Sequence, residues 1–305
     1  GTSRLGEPLH LLSIGSGSKD AFVFGMPHPN EPIGAMMVVH LTRLLCEDAA
    51  LRAALDFTWH FIPTVDPDGS RLNEGWFSGP FVRSHYARHF FRPASDQQVE
   101  WTFPFAYKRA FFDKILPETL ALMRVIDELK PEFMYSLHNA EHGGVYYYVS
   151  QAAPGLYDTF GQIPGWEGLP LDLGEPEMPM LTPVAPAIYV MPGKEEMYDW
   201  IEQFGGDPAK RGGGGSSDSY ARKYGTFTLI VEMPYWDDPR ANDQTPSTTR
   251  RRDALTVQIT KNRELLDFVA GVYDAVQADL TAVSPFRLSI EAALADMREY
   301  LDQVQ

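Results

Sequence analysis

A chain of 305 residues, 44% hydrophobic and 22% charged, has the composition of a globular protein with a sizeable core. Its net charge of −15 argues against nucleic acid as the main partner, because phosphate binding needs a basic face. No apolar run reaches the roughly 18 residues of a membrane-spanning helix, and the lone Cys46 excludes both an intrachain disulfide and a Cys-rich zinc site. No signal peptide is visible, and the absence of disulfides fits a cytoplasmic location.

Residues 21–25, AFVFG, predict a short buried strand. EPIGAMMVVHLTRLL then predicts a helix, with Pro32 in its first turn and Asn30 as N-cap. FTWHFIPTVDPDG, residues 57–69, predicts a second strand closed by an Asp-Pro-Asp-Gly turn. Residues 70–105 scatter aromatics, arginines and prolines without periodicity, and long irregular stretches of this kind are often functional. PETLALMRVIDELKP, residues 117–131, is an amphipathic pattern with a proline at each end, as a helix there requires. EFMYSLHN and the tyrosine-rich GVYYYVS predict strands, and residues 151–196 predict loops with short helices. The four glycines of KRGGGGSSDSY, residues 210–220, predict a mobile segment bordering a substrate pocket. TFTLIVEMPYW is the clearest strand, and two helices follow from about residue 250 to 303. Strands alternating with helices predict one α/β domain over residues 1–305, with a largely parallel or mixed sheet.

In such folds ligands bind at the carboxyl ends of the strands. His28 and Glu31 follow the AFVFG strand, and His138 ends EFMYSLH. Two imidazoles and a carboxylate are a sufficient protein ligand set for one catalytic zinc ion, which lowers the pKa of a bound water to about 7. Glu232 lies in the apolar strand TLIVEMP, where a carboxylate is costly without a partner or a task, and it is the candidate general base. Each residue also has a local role open to it. Glu31 suits the first turn of a helix, His28 a loop, His138 a strand end, and Glu232 an ion pair with an arginine.

Together these stretches resemble the zinc carboxypeptidases of the carboxypeptidase A/B type. HPNE matches the family's His-x-x-Glu at the opening of a helix, and DPDG, residues 66–69, its Asn-Pro-Asp-Gly with Asp for Asn. SLHNAEHGGVYYYVS matches the strand end that carries the third ligand and the aromatic strand after it. FTLIVE matches the strand of the catalytic glutamate. GGSSD, residues 214–218, matches Gly-Gly-Ser-x-Asp. The resemblance spans about residues 20–235. It implies a single α/β/α domain around a twisted mixed sheet, one zinc held by His28, Glu31 and His138, and Glu232 as general base.

The same resemblance implies an arginine that polarises the scissile carbonyl, for which Arg71 is the candidate. It also implies an Asn-Arg pair for the terminal carboxylate, a bidentate task suited to a guanidinium. YARHF nominates Arg88, with Ala87 in place of the Asn; Arg92 is the alternative and Arg83 a weaker one. The specificity position is Ser217, with Asp218 adjacent. No tyrosine stands where the family's closing tyrosine precedes GGSSD, which leaves Tyr220 or Tyr224 as substitutes or as packing aromatics. His85, His89 and His142 remain as outer groups.

The implied activity is a zinc metallocarboxypeptidase acting on a peptide with a free carboxylate, with neither nucleic acid nor membrane as partner. HPNEPIG also resembles the HGNEPIG stretch of the succinylglutamate desuccinylase and aspartoacylase group, whose substrates are N-acyl amino acids. Further alternatives are a peptidase of peptidoglycan stems and a non-catalytic binding protein on the same fold.

Overall fold

The computed structural model describes residues 1–208 and 213–303. Its first elements are β1 (Leu12–Ile14), β2 (Lys19–Phe24), α1 (Pro32–Glu47), α2 (Ala49–Leu55), β3 (Phe57–Ile62), α3 (Pro67–Phe77) and α4 (Arg83–His89). The hairpin of β4 (Phe105–Tyr107) and β5 (Ala110–Phe112) precedes α5 (Pro117–Leu129), β6 (Phe133–His138), β7 (His142–Gly143) and β8 (Tyr146–Val149). Then come α6 (Tyr157–Trp166), β9 (Pro183–Ala185), β10 (Ile188–Val190), α7 (Lys194–Gln203), α8 (Ser217–Ala221), β11 (Phe227–Glu232) and β12 (Trp236–Asp237). Two long helices follow, α9 (Arg251–Val276) and α10 (Pro285–Gln303).

Among the described residues, eight strands form one mixed sheet in the order β1-β3-β2-β6-β11-β8-β10-β9. Strands β3, β2, β6 and β11 run parallel, so their carboxyl ends share one edge. β1 pairs antiparallel with β3, and β8 antiparallel with β11. The period of two along a strand explains the layers. In β2, Phe22 and Phe24 face a cluster with Leu122 and Ile126 of α5, while Ala21 and Val23 face Val38 and Leu45 of α1. A strand buried on both faces reads as a continuous apolar run, as AFVF does. The fold is therefore the expected α/β sandwich with a mixed sheet.

The chain divides into two units, residues 1–90 with 95–244, and Phe91–Ala94 with the residues from Thr245 on. In the second, α9 and α10 are joined through Leu266, Leu294 and Leu301, and Phe91 packs edge-on against Phe286.

Two local readings need correction. DPDG is the start of α3 and not a turn: Asp66 is its N-cap and accepts from the Gly69 N–H at 2.9 Å, with Pro67 in the first turn. Asp followed by Pro serves a helix start as well as a turn, so local sequence cannot separate the two. The N-cap position of α1 is held by Glu31 rather than Asn30, and no side-chain cap bond comes from it.

Candidate metal centre

The loop after β2 carries His28, and the Glu31 N–H donates to the His28 carbonyl at 3.1 Å, which folds the two side chains to one side of the helix start. Gly34 then brings α1 against β6: a Cβ there would lie 2.6 Å from the Leu137 carbonyl oxygen. Only glycine permits that approach, and it seats the start of α1 beside the residue that ends β6, His138. The Glu31 carboxylate, not used as a cap, lies 3.1 Å from His138 Nδ1. The His28 and His138 rings meet edge to face with centroids 5.1 Å apart.

One ligand atom from each of His28, Glu31 and His138 lies within 4.8 Å of the others, and the three residues are only 2, 2 and 6% exposed. The Nε2 atom of His138 is buried without a hydrogen-bond partner. Two imidazoles and a carboxylate, desolvated and converging, could hold a metal ion, and the mix of nitrogen and oxygen donors suits zinc.

Glu232 is in direct register with His138 across β11 and β6, and with Tyr146 across β11 and β8. Side chains paired across strands share a face, so His138, Glu232 and Tyr146 form a row at the carboxyl edge. Glu232 is half-buried. Tyr146 and Tyr148 both donate to Glu177, at 3.4 and 3.0 Å. Burial, and then the nearby carboxylates, push both phenols well above their usual pKa. Burial works to lower the pKa of His138, but the Glu31 carboxylate, with Glu232 and Glu100 behind it, outweighs burial and raises it to about 9.

Two contributors lie outside the sequence-predicted set. Asn139 accepts from the Ile33 N–H through Oδ1 at 3.3 Å and donates through Nδ2 to the His138 carbonyl at 2.9 Å. It thus caps α1 from the neighbouring strand. Glu100, in the one-turn 3-10 helix Val99–Trp101, is 2% exposed and lies within electrostatic reach of His138. Its neighbour Trp101 packs a ring 5.9 Å from His28. The only hint in the sequence is an acid and an aromatic in a long irregular stretch.

Ser217 and Asp218 are buried at the start of α8. Ser217 donates its N–H and hydroxyl to Glu100 Oε1 at 3.0 and 2.8 Å. Asp218 is held by Arg222 at 2.7 Å. Arg71 lies in α3 with its side chain 59% exposed and its guanidinium 2.7 Å from Glu7. Arg88 is exposed on α4, and Arg83 stacks over Trp236. Arg92 belongs to the Phe91–Ala94 stretch of the second unit, where its carbonyl accepts from Ser289. Tyr220 and Tyr224 both donate to Asp127 of α5, as packing aromatics would. His85 and His89 hydrogen-bond backbone carbonyls in and beside α4, and His142 pairs with Trp236 as β7.

Lys210, Arg211 and Gly212 of the glycine-rich segment lie outside the described residues. From Gly213 on, the segment is tied down. Gly214 donates to the Trp101 carbonyl, and Gly215 exchanges hydrogen bonds with Phe103. A Cβ on Gly214 would fall 2.0 Å from the Phe103 carbonyl oxygen. Here glycine permits close backbone approach rather than freedom.

A family profile described as zinc carboxypeptidase matches residues 1–164, more than half of the chain, including His28, Glu31 and His138. No curated protein is significantly similar to the chain. Among solved structures, a protein of Shewanella amazonensis assigned provisionally as a metallopeptidase aligns with a TM-score of 0.50 at 15% identity, over 77% of this chain and 76% of that one. That likeness establishes the fold alone. A metallo-carboxypeptidase of Burkholderia cenocepacia aligns with a TM-score of 0.45 at 16% identity, covering all of this chain and 63% of its own. Carboxypeptidase A of Helicoverpa armigera gives 0.47 at 14% identity, over 77% of this chain and 58% of that one.

Proposed function

The chain belongs to the zinc carboxypeptidase family, and on that footing we propose that it is a zinc-dependent carboxypeptidase hydrolysing a C-terminal peptide or amide bond. The observation that carries this reading is the buried convergence of His28, Glu31 and His138 with Glu232 in register beside them. Zinc held by those three residues would supply a Lewis acid and an activated water.

The chain's own residues do the rest. A Glu232 carboxylate oxygen takes the proton from the attacking water and delivers it to the leaving amine nitrogen. Asn139 holds the α1 start against the end of β6, which sets the spacing of Glu31 and His138. Arg71 is the proposed donor to the developing oxyanion; it must exchange Glu7 for substrate to act. Arg88 receives the terminal carboxylate.

The test joins elemental analysis to a screen of blocked dipeptides and N-acyl amino acids. One zinc per chain, lost in His138→Ala, with release of the C-terminal residue supports the proposal. Cleavage of N-acyl amino acids alone assigns the chain to deacylation, and zinc without turnover assigns it to binding.

A further inference from the structure

The helix α9 shows water an apolar face as well as a polar one. It packs on α10 through one side, where Leu266 is buried with Leu294 and Leu301, and Ile259 and Tyr273 lie beside them. Nearly all the rest of its surface is exposed. Leu255 apart, its exposed large apolar side chains are Val257, Leu265, Phe268, Val272 and Val276, with Phe268 70% exposed. At about 3.6 residues per turn these five fall on one stripe with Lys261, whose stem is itself apolar. A contiguous apolar stripe of this kind marks an interaction surface.

Two observations say what covers it. The first is spacing. From Val257 through Lys261, Leu265, Phe268 and Val272 to Val276, the steps are four, four, three, four and four residues, the same from either end. A two-fold axis between Leu266 and Asp267 therefore lays the stripe on itself, with Val257 opposite Val276, Lys261 opposite Val272 and Leu265 opposite Phe268. Self-complementarity is what an isologous interface requires, and a partner of different sequence needs none.

The second is charge. Arg250 to Arg263 carries five basic residues and one acid, whereas Glu264 to Asp279 carries four acids and no base. That polarity is the reverse of what the dipole of α9 favours. An antiparallel copy offsets it, because the basic half of each helix then lies along the acidic half of the other. A parallel copy would set like charges together.

We infer that α9 is the interface of an antiparallel homodimer, the exposed stripe of one chain lying on the same stripe of a second copy. A single helix of 26 residues, about 39 Å long, offers less than the roughly 800 Å² per partner of a standard interface. Association should accordingly fall in the micromolar range.

Sedimentation velocity on the whole chain, from about 0.1 to 100 µM, should show a monomer passing to a dimer. Phe268→Glu should weaken the dimer by about 30-fold or more, as loss of a central aromatic does. Because Phe268 is exposed in the single chain, that variant should unfold at the wild-type temperature. Orientation is read by cross-linking with a short bismaleimide, in a Cys46→Ser background that removes the native exposed thiol. A mixture of Val257→Cys and Val276→Cys chains should cross-link, and neither alone should, since like positions in the antiparallel pair lie about 28 Å apart. A monomer at every concentration overturns the inference. A dimer untouched by Phe268→Glu, or cross-linked by Val257→Cys alone, overturns it as well. Co-sedimentation of the chain with phosphatidylglycerol vesicles, lost in Phe268→Glu, would overturn it by assigning the stripe to a lipid surface.

Discussion

The side-chain oxygen of Asn139 accepts a hydrogen bond from the backbone N–H of Ile33 across the gap between β6 and α1. An N-terminal N–H of a helix is normally satisfied by its own N-cap side chain. Glu31 occupies that place and does not cap, so its carboxylate stays available to the metal site. Asn139→Ala should leave a folded protein, destabilised by about 1 kcal/mol. Zinc affinity should fall by about 10–100-fold, the usual worth of a residue that orients metal ligands. Titration against a competing chelator, beside thermal unfolding, measures both; full zinc affinity would show that Asn139 does no positioning.

Gly34 and the Leu137 carbonyl set the same approach by contact rather than by hydrogen bonding. Gly34→Ala forces α1 away from β6 and should cost about 1–3 kcal/mol, despite the better helix propensity of alanine. Gly161→Ala is the matched control. It lies inside α6, where an added Cβ meets nothing within 4 Å, and it should be neutral or stabilising by up to about 1 kcal/mol. Chemical denaturation of both variants decides; equal effects would mean that the close approach is not tight.

Glu232→Gln keeps shape and strand register while removing the base. Zinc and substrate binding should persist, and turnover should fall by about 10²–10⁴-fold, the usual contribution of a positioned general base. Single-turnover kinetics on the zinc-loaded variant measure this. Near wild-type turnover would remove Glu232 from the chemistry.

Asp66 makes a pH prediction. Burial, only partly offset by the Gly69 N–H and Arg4, raises its pKa from 3.8 to about 6. Between those two values the folded chain holds a proton that the unfolded chain has lost, so stability falls as pH rises through this window. Above about pH 6 the cost is complete, at about 2–3 kcal/mol. Asp66→Asn still caps α3 and removes the titration. Its stability relative to wild type should therefore increase from pH 4 to pH 6 and stay level above, as read from urea midpoints. A difference independent of pH would show that Asp66 titrates normally.

The sequence by itself determined what depends on neighbours along the chain. AFVF, FTWHFI and FTLIVE are apolar runs of strand length, and they are β2, β3 and β11. Pro32 inside the start of α1, and the apolar periodicity beyond residue 250, are local signals that the structure repeats in place. His28 and Glu31 were legible because three residues separate them at one strand-helix seam. His138 and Glu232 each end an apolar strand.

Only the tertiary structure decided what depends on residues far apart in sequence. Glu100 meets Ser217 across 117 positions and Asn139 meets Ile33 across 106, and neither pair leaves a periodic trace. DPDG misleads for a related reason, and Gly213–Gly215 are open to two readings in the same way. Asp-Pro suits a turn and a helix start equally, and glycine suits both a loose chain and a close contact. In each case the environment selects between them: Asp66 is buried as a cap, and Gly214 is pressed against the Phe103 carbonyl. The register that sets His138 beside Glu232 is likewise a property of the assembled sheet, because strand pairing over 94 residues is chosen by what the two faces bury.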